Sequence, residues 1–241
     1  MEKKNKIILL IILIVTVLIV GICVFAIMRH ESDSKNNEVT DAVKFKEEYE
    51  ELNGSKYENL TYPTVTINEN NTVKYITEAQ AVEIIKNGTG VIYFGFAGCP
   101  WCRTLITPLV DIARESHTTI YYLDILNIRS KIELTSDKLI KTTKKGTDSY
   151  YDLLNLMSEY LRDYVLTDED NKEYKTGEKR LYAPTLVAVK NGKIESFHEG
   201  TVDSQKSGFD DLNKKQEKEL NKILTELVKT VSSNSCSSTG C

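Results

Sequence analysis

Val91-Ile92-Tyr93-Phe94-Gly95-Phe96-Ala97-Gly98-Cys99-Pro100-Trp101-Cys102 is the stretch that decides how this chain of 241 residues folds. Its first six residues are an apolar run without alternation, which predicts a short strand buried on both faces. Arg103-Thr104-Leu105-Ile106 follow the second cysteine and open a helical pattern. Leu105, Leu109, Ile112 and Ala113 share one face of it, and Pro108 is expected to kink it. Two thiols with two residues between them therefore stand at a strand-to-helix junction. A helix N-terminus offers unpaired N–H groups and partial positive charge, which favour thiolate over thiol at the first cysteine. The second is near enough to close a short disulfide and release a covalently held substrate. The same spacing also serves as half of a metal site, so the rest of the chain must decide.

Residues 119–125, rich in tyrosine and isoleucine, read as the next strand. Strand, helix, strand in that order predicts a parallel pair with a right-handed crossover. On the N-terminal side, Thr77 with Gln80 three residues on has capping-box spacing for a helix that stops before Gly88. Residues 127–180 interrupt the pattern. Tyr150, Leu153, Leu154, Met157, Leu161 and Tyr164 lie at helical spacing there, which predicts an inserted amphipathic helix between Ser/Thr-rich loops, its Met and Tyr positions facing a core. Ala183-Pro184-Thr185 then opens a strand at 186–189, and Asn191-Gly192 turns the chain back along 193–197 as a hairpin. Leu220, Ile223, Leu224, Leu227, Val228 and Val231 line one face of a closing helix, so a core domain is expected over 72–231.

The ends place this domain outside a membrane. Residues 7–28 are uncharged and almost wholly apolar, long enough at about 1.5 Å per residue to cross about 30 Å of hydrocarbon. Lys3, Lys4 and Lys6 precede the run; Arg29, His30, Glu31 and Asp33 follow it. The positive-inside tendency leaves the N-terminus in the cytoplasm and the rest extracytoplasmic, on a single-pass cell-membrane anchor at 1–28. A cleaved signal peptide ending near Val24-Phe25-Ala26 competes, and a lipoprotein cysteine at Cys23 is disfavoured by the bulk of Ile22. Residues 29–71 read as a polar tether. It carries a short helix through Ala42, Phe45, Tyr49 and Leu52 that ends at Gly54, and an added edge strand at 62–67 containing Pro63. The last ten residues, 232–241, form a Ser/Cys tail.

Net charge is −4 with acids and bases interspersed, which speaks against a nucleic-acid surface. Five cysteines are too few for a disulfide scaffold. Cys23 belongs to the apolar run, which leaves Cys99 with Cys102 and Cys236 with Cys241, an even count in an oxidising setting. His30, His117 and His198 are isolated and lack ligand spacing.

The element order, with Cys-Pro-Trp-Cys between the buried strand and its helix, resembles the thioredoxin superfamily over about residues 72–231. The Cys-Pro-aromatic-Cys form and Arg103 behind it are similar to glutaredoxins. With its membrane anchor, the chain resembles exported thiol-disulfide oxidoreductases of Gram-positive bacteria, some of them bacteriocin transport accessory proteins. The resemblance implies an α/β, thioredoxin-like three-layer fold with a helical insertion, preceded by one transmembrane helix. It makes Cys99 the attacking thiolate and Cys102 the resolving thiol. Pro100, Trp101, Ala183 and Pro184 become the substrate-binding residues, with Pro184 as the family's cis-proline. It implies no organic cofactor and no metal, exported cysteine-containing proteins or peptides as substrates, and a membrane redox partner. Two departures stand out: Tyr93 occupies the position of the buried acid of thioredoxins, and no histidine lies between the cysteines, so the direction of electron flow is open. Cys236 and Cys241 admit three readings: a local disulfide or free tail thiols, a second redox pair, or ligands joining Cys99 and Cys102 around a metal. From a different class comes a non-enzymatic accessory domain that holds an exported peptide or a metal.

Overall fold

The structure, a computed structural model, describes residues 39–232. The expected anchor at 1–28, with Cys23, and the tail pair Cys236 and Cys241 lie outside those residues. Among the described residues no helix is long and apolar enough to cross a membrane.

Helix α1 (Asp41–Glu50) comes first, followed by a minimal hairpin of β1 (Lys56–Tyr57) and β2 (Leu60–Thr61). The central elements are β3 (Val73–Tyr75), α2 (Glu78–Asn87), β4 (Gly90–Gly95), α3 (Pro100–Glu115) and β5 (Ile120–Asp124). Two hairpin strands, β6 (Lys131–Leu134) and β7 (Ile140–Lys144), precede α4 (Asp148–Leu156), and β8 (Arg162–Thr167) and β9 (Glu173–Arg180) follow it. The chain closes with β10 (Thr185–Lys190), β11 (Lys193–Glu199) and α5 (Lys214–Lys229).

The main sheet has the order β11-β10-β4-β5-β3. Strand β5 runs parallel to β3 and β4, whereas β10 pairs antiparallel with both β4 and β11. Successive residues of β4 point to opposite faces, so each face receives its own apolar layer. Val91 and Tyr93 join Leu105 and Leu109 of α3, Phe45 and Tyr49 of α1, and Leu224 of α5. Ile92 and Phe94 join Ala81 and Ile85 of α2 with Leu153 and Leu154 of α4. Helices therefore cover both faces of a mixed sheet, and β4 carries Cys99 at its exit from the centre of it. The Thr77–Gln80 capping box is present, and Asn191-Gly192 turns in the left-handed conformation at both residues.

Two expectations are corrected. The segment before Thr72 is not a tether: the compact unit begins at Asp41, and Phe45, Tyr49, Val65 and Ile67 are core residues. Its apolar positions cover the sheet face that α3 and α5 leave open. Residues 62–67 are extended but join no ladder. The Asn53 side chain stands in for a neighbouring strand, donating to Val65 O at 2.8 Å and accepting from Val65 N at 2.9 Å, while Glu50 accepts from Ile67 N at 2.8 Å.

The insertion, secondly, is mostly hairpins. Its helix stops at Leu156, and Leu161 and Tyr164 continue the helical spacing by coincidence, one beyond a turn and the other inside β8. Strand β7 is exposed at every position, so no alternation announced it. Pro108 lies inside an α3 that runs unbroken to Glu115.

Candidate functional site

The N-terminus of α3 is built around sulfur. Cys99 is its N-cap residue and Pro100 sits in the first turn, where a missing N–H costs nothing. The Cys99 Sγ accepts the Cys102 N–H at 3.2 Å and donates to Ala183 O at 3.4 Å. Ala183–Pro184 is a cis peptide bond, placed beside the dithiol by the entry to β10. Cys99, Cys102, Pro100, Ala183 and Pro184 are thus brought together across 84 residues of chain. Both cysteines are free thiols, 5% and 0% exposed.

Their environments separate them. The hydrogen bond from the Cys102 thiol holds Cys99 below the ordinary thiol range, against its burial, with help from the Cys102 N–H and the Arg129 guanidinium. Burial pushes Cys102 well up, and the neighbouring Cys99 pushes it further. One thiol is poised to be thiolate while the other keeps its proton, the asymmetry an exchange site needs.

Beneath Cys102, the position of the expected acid holds a buried phenol. The Tyr93 hydroxyl hydrogen-bonds the Cys102 thiol and lies 2.7 Å from the Tyr49 hydroxyl. A phenol has one proton to give. With that of Tyr93 directed at sulfur, Tyr49 donates to Tyr93, so both donors point towards Cys102. Burial holds both phenols far above their ordinary range and therefore neutral. The Tyr93 ring fits only because residue 95 is glycine, whose hypothetical Cβ would lie 2.3 Å from the Tyr93 hydroxyl. Tyr122 stacks on Tyr93 at 5.4 Å between ring centres and donates to Glu48 Oε1 at 2.9 Å.

Arg103, directly after the dithiol, is 1% exposed and meets no carboxylate among the described residues. Its guanidinium donates to Pro63 O at 2.8 Å, Tyr49 O at 2.6 Å and Asn53 Oδ1 at 2.6 Å, with a longer contact to Ala97 O at 3.4 Å. One cation thereby pins α1 and the extended segment to α3. Trp101 is half-buried. The backbone of Gly208 lies against it, where a Cβ would come within 2.9 Å of the indole. Phe209 beside it packs on Tyr62 at 5.7 Å.

Sequence reasoning missed Tyr49, Gly95, Gly208 and Arg129 as parts of this site. Only Gly95, two residues from Tyr93 on the same strand face, carried a local signal. His198 meets Thr201 O at 2.9 Å, far from any ligand set. No three of His, Cys, Asp and Glu gather to hold a metal among the described residues. Comparison with protein-family models, with characterised proteins and with solved structures finds nothing that matches this chain.

Proposed function

We propose that this chain is a membrane-anchored, extracytoplasmic thiol-disulfide oxidoreductase of thioredoxin-like fold. The observation that carries the reading is the helix-capping Cys99 sulfur, lowered in pKa, with a protonated Cys102 beneath it and the Ala183 carbonyl 3.4 Å away. No organic cofactor is needed. In the reducing direction the Cys99 thiolate attacks a substrate disulfide, forming the Cys99–substrate S–S bond and expelling one substrate thiolate. Cys102 passes its proton to that leaving thiolate through solvent, and its sulfur attacks Cys99 Sγ. The Cys99–Cys102 disulfide forms, the second substrate thiolate leaves, and two electrons have moved from the dithiol to the substrate. The oxidising direction is the same sequence reversed, and a partner dithiol or disulfide resets the protein. Trp101, Pro100, Ala183 and Pro184 flank the sulfur that carries the substrate, and the Ala183 carbonyl is free to take a peptide N–H once Cys99 is in a mixed disulfide.

Neutral Tyr93 cannot act as a base near neutral pH. Its role here is that of a hydrogen-bond donor, stabilising the Cys102 thiolate as it forms, with Tyr49 polarising it from behind. The test is a Cys102→Ala chain, which should accumulate mixed disulfides through Cys99 that a Cys99→Ala chain lacks. Absence of such adducts, together with failure of the unaltered chain to reduce or oxidise any test disulfide, overturns the reading. The reduction potential then assigns direction, from about −120 mV for an oxidase to about −270 mV for a reductase.

A further inference from the structure

Two arginines stand at the base of the insertion, Arg129 with its charge acting on Cys99 and Arg180 with its charge acting on Arg129, and neither is in an ion pair among the described residues. Arg129, in the loop after β5, lies with its Cζ 5.3 Å above the ring of Phe96, whose carbonyl accepts the Cys99 N–H at 3.1 Å. Its Nε is buried and has no hydrogen-bond partner. Arg180, at the end of β9, lies 4.4 Å above the ring of Tyr164 and donates to Ser130 O at 2.7 Å, while the Ser130 hydroxyl donates to Glu178 Oε2 at 2.9 Å. Tyr164 packs edge-on to Tyr182, the residue before Ala183. The two cations thus stand on adjoining stretches of one wall that runs from Phe96, past Cys99, to Ala183.

Arg162 pairs with Glu199, Lys138 with Asp168 and Glu169, and Lys179 with Asp163, while Lys131, Lys141, Lys144, Lys145 and Lys172 of the insertion are exposed to water. Arg129 and Arg180 differ from these. Both are half-buried, and they repel each other, for burial and then the Arg180 charge are what depress the Arg129 guanidinium. Ring faces return part of the lost hydration, but a guanidinium fork is completed by a planar anion.

We propose that this wall recognises an anion on the substrate: the cysteine that reacts with Cys99 belongs to an exported polypeptide with an Asp or Glu side chain within about two residues of it, a reach of roughly 7 Å. The inference rests on the oxidoreductase reading and adds the class of substrate to it. The insertion thereby becomes the specificity element of the molecule, since it supplies Arg129, Tyr164 and Arg180 together. Arg129 also faces the Cys99 thiolate, so Arg180 is the residue whose effect separates recognition from thiolate activation.

The test uses the full chain and two peptide disulfides identical except for Glu or Lys beside the cysteine. The Glu peptide should be exchanged with a kcat/KM about tenfold higher, as expected for one charge pair at intermediate dielectric, and raised salt should narrow the gap. Arg180→Gln should bring the ratio within about twofold of unity, while Arg180→Lys should retain part of the preference. A second readout needs no turnover. On the reduced chain, iodoacetate relative to iodoacetamide at Cys99, read by mass of the Cys99 peptide, should be higher than on the unfolded chain and should fall in Arg180→Gln. Equal exchange of both peptides, or an alkylation ratio no higher than in the unfolded chain, overturns the inference. Failure to exchange either peptide or the neutral disulfide of 2-mercaptoethanol overturns the oxidoreductase reading instead.

Discussion

Tyr93 shows how one residue sets the character of the dithiol. A carboxylate at that position would be a base; a buried phenol with Tyr49 behind it is a donor, so it assists Cys102 once negative charge gathers on sulfur. Tyr93→Phe keeps the ring stack and removes that donor. Resolution of a Cys99 mixed disulfide should slow by about tenfold, the value of one hydrogen bond of about 1.4 kcal/mol, while the initial attack by Cys99 changes little. Rapid quench separates the two steps, and an unchanged resolution rate would remove Tyr93 from the mechanism. The cysteines, Pro100 and Pro184 were legible in the sequence because the chemistry of a helix start and of an X–Pro bond is local. Tyr49 was not, since it meets Tyr93 across 44 residues and nothing in its own neighbourhood marks it.

Among the elements, α1 and the extended segment behind it changed most between expectation and structure. Their polar composition reads as a tether, yet Phe45, Tyr49, Val65 and Ile67 supply core to the sheet face that α3 covers, and Arg103 and Asn53 tie them down by hydrogen bonds. The apolar spacing predicted the helix itself. What it packs on is a tertiary matter, decided by the face of β5 and β4 left bare by α3 and α5. Arg103→Gln would strip a charged donor from the Tyr49, Pro63 and Asn53 oxygens. We expect a loss of roughly 3 kcal/mol or more, a fall of about 6–12 °C in melting temperature for a domain of this size. A fall below about 2 °C, on the same per-kcal scale, would show that the joint contributes little. The insertion was misread for the opposite reason. Strand β7 is paired with its hairpin partner while open to solvent at every position, so burial imposes no alternation for a pattern search to find.

At the scale of the whole molecule, the buried phenols tie stability to alkaline pH. Tyr49, Tyr93 and Tyr122 are held protonated in the fold well above the ordinary value of 10.0 that they regain on unfolding. The unfolded chain therefore releases protons first, so their contribution is full below about pH 10 and is lost as pH rises beyond it. Phenolate absorbance at 295 nm should rise in part gradually, from exposed tyrosines, and in part in a step that coincides with loss of far-ultraviolet circular dichroism. A smooth titration of all 13 tyrosines with the fold intact would contradict this placement. On the acid side Glu50, lowered against its burial by Lys46 and the Ile67 N–H, gives up its contribution as pH falls, whereas the Arg103 joint does not titrate. A salt bridge loosens once its carboxylate is protonated, but every oxygen that holds Arg103 is a carbonyl, which has no proton to gain in that range. The contribution of Arg103 is thus independent of pH in that range, and Arg103→Gln should lower the melting temperature equally at pH 4 and pH 7. A joint so made keeps α3 and the N-terminal segment together across a pH range in which ion pairs come apart.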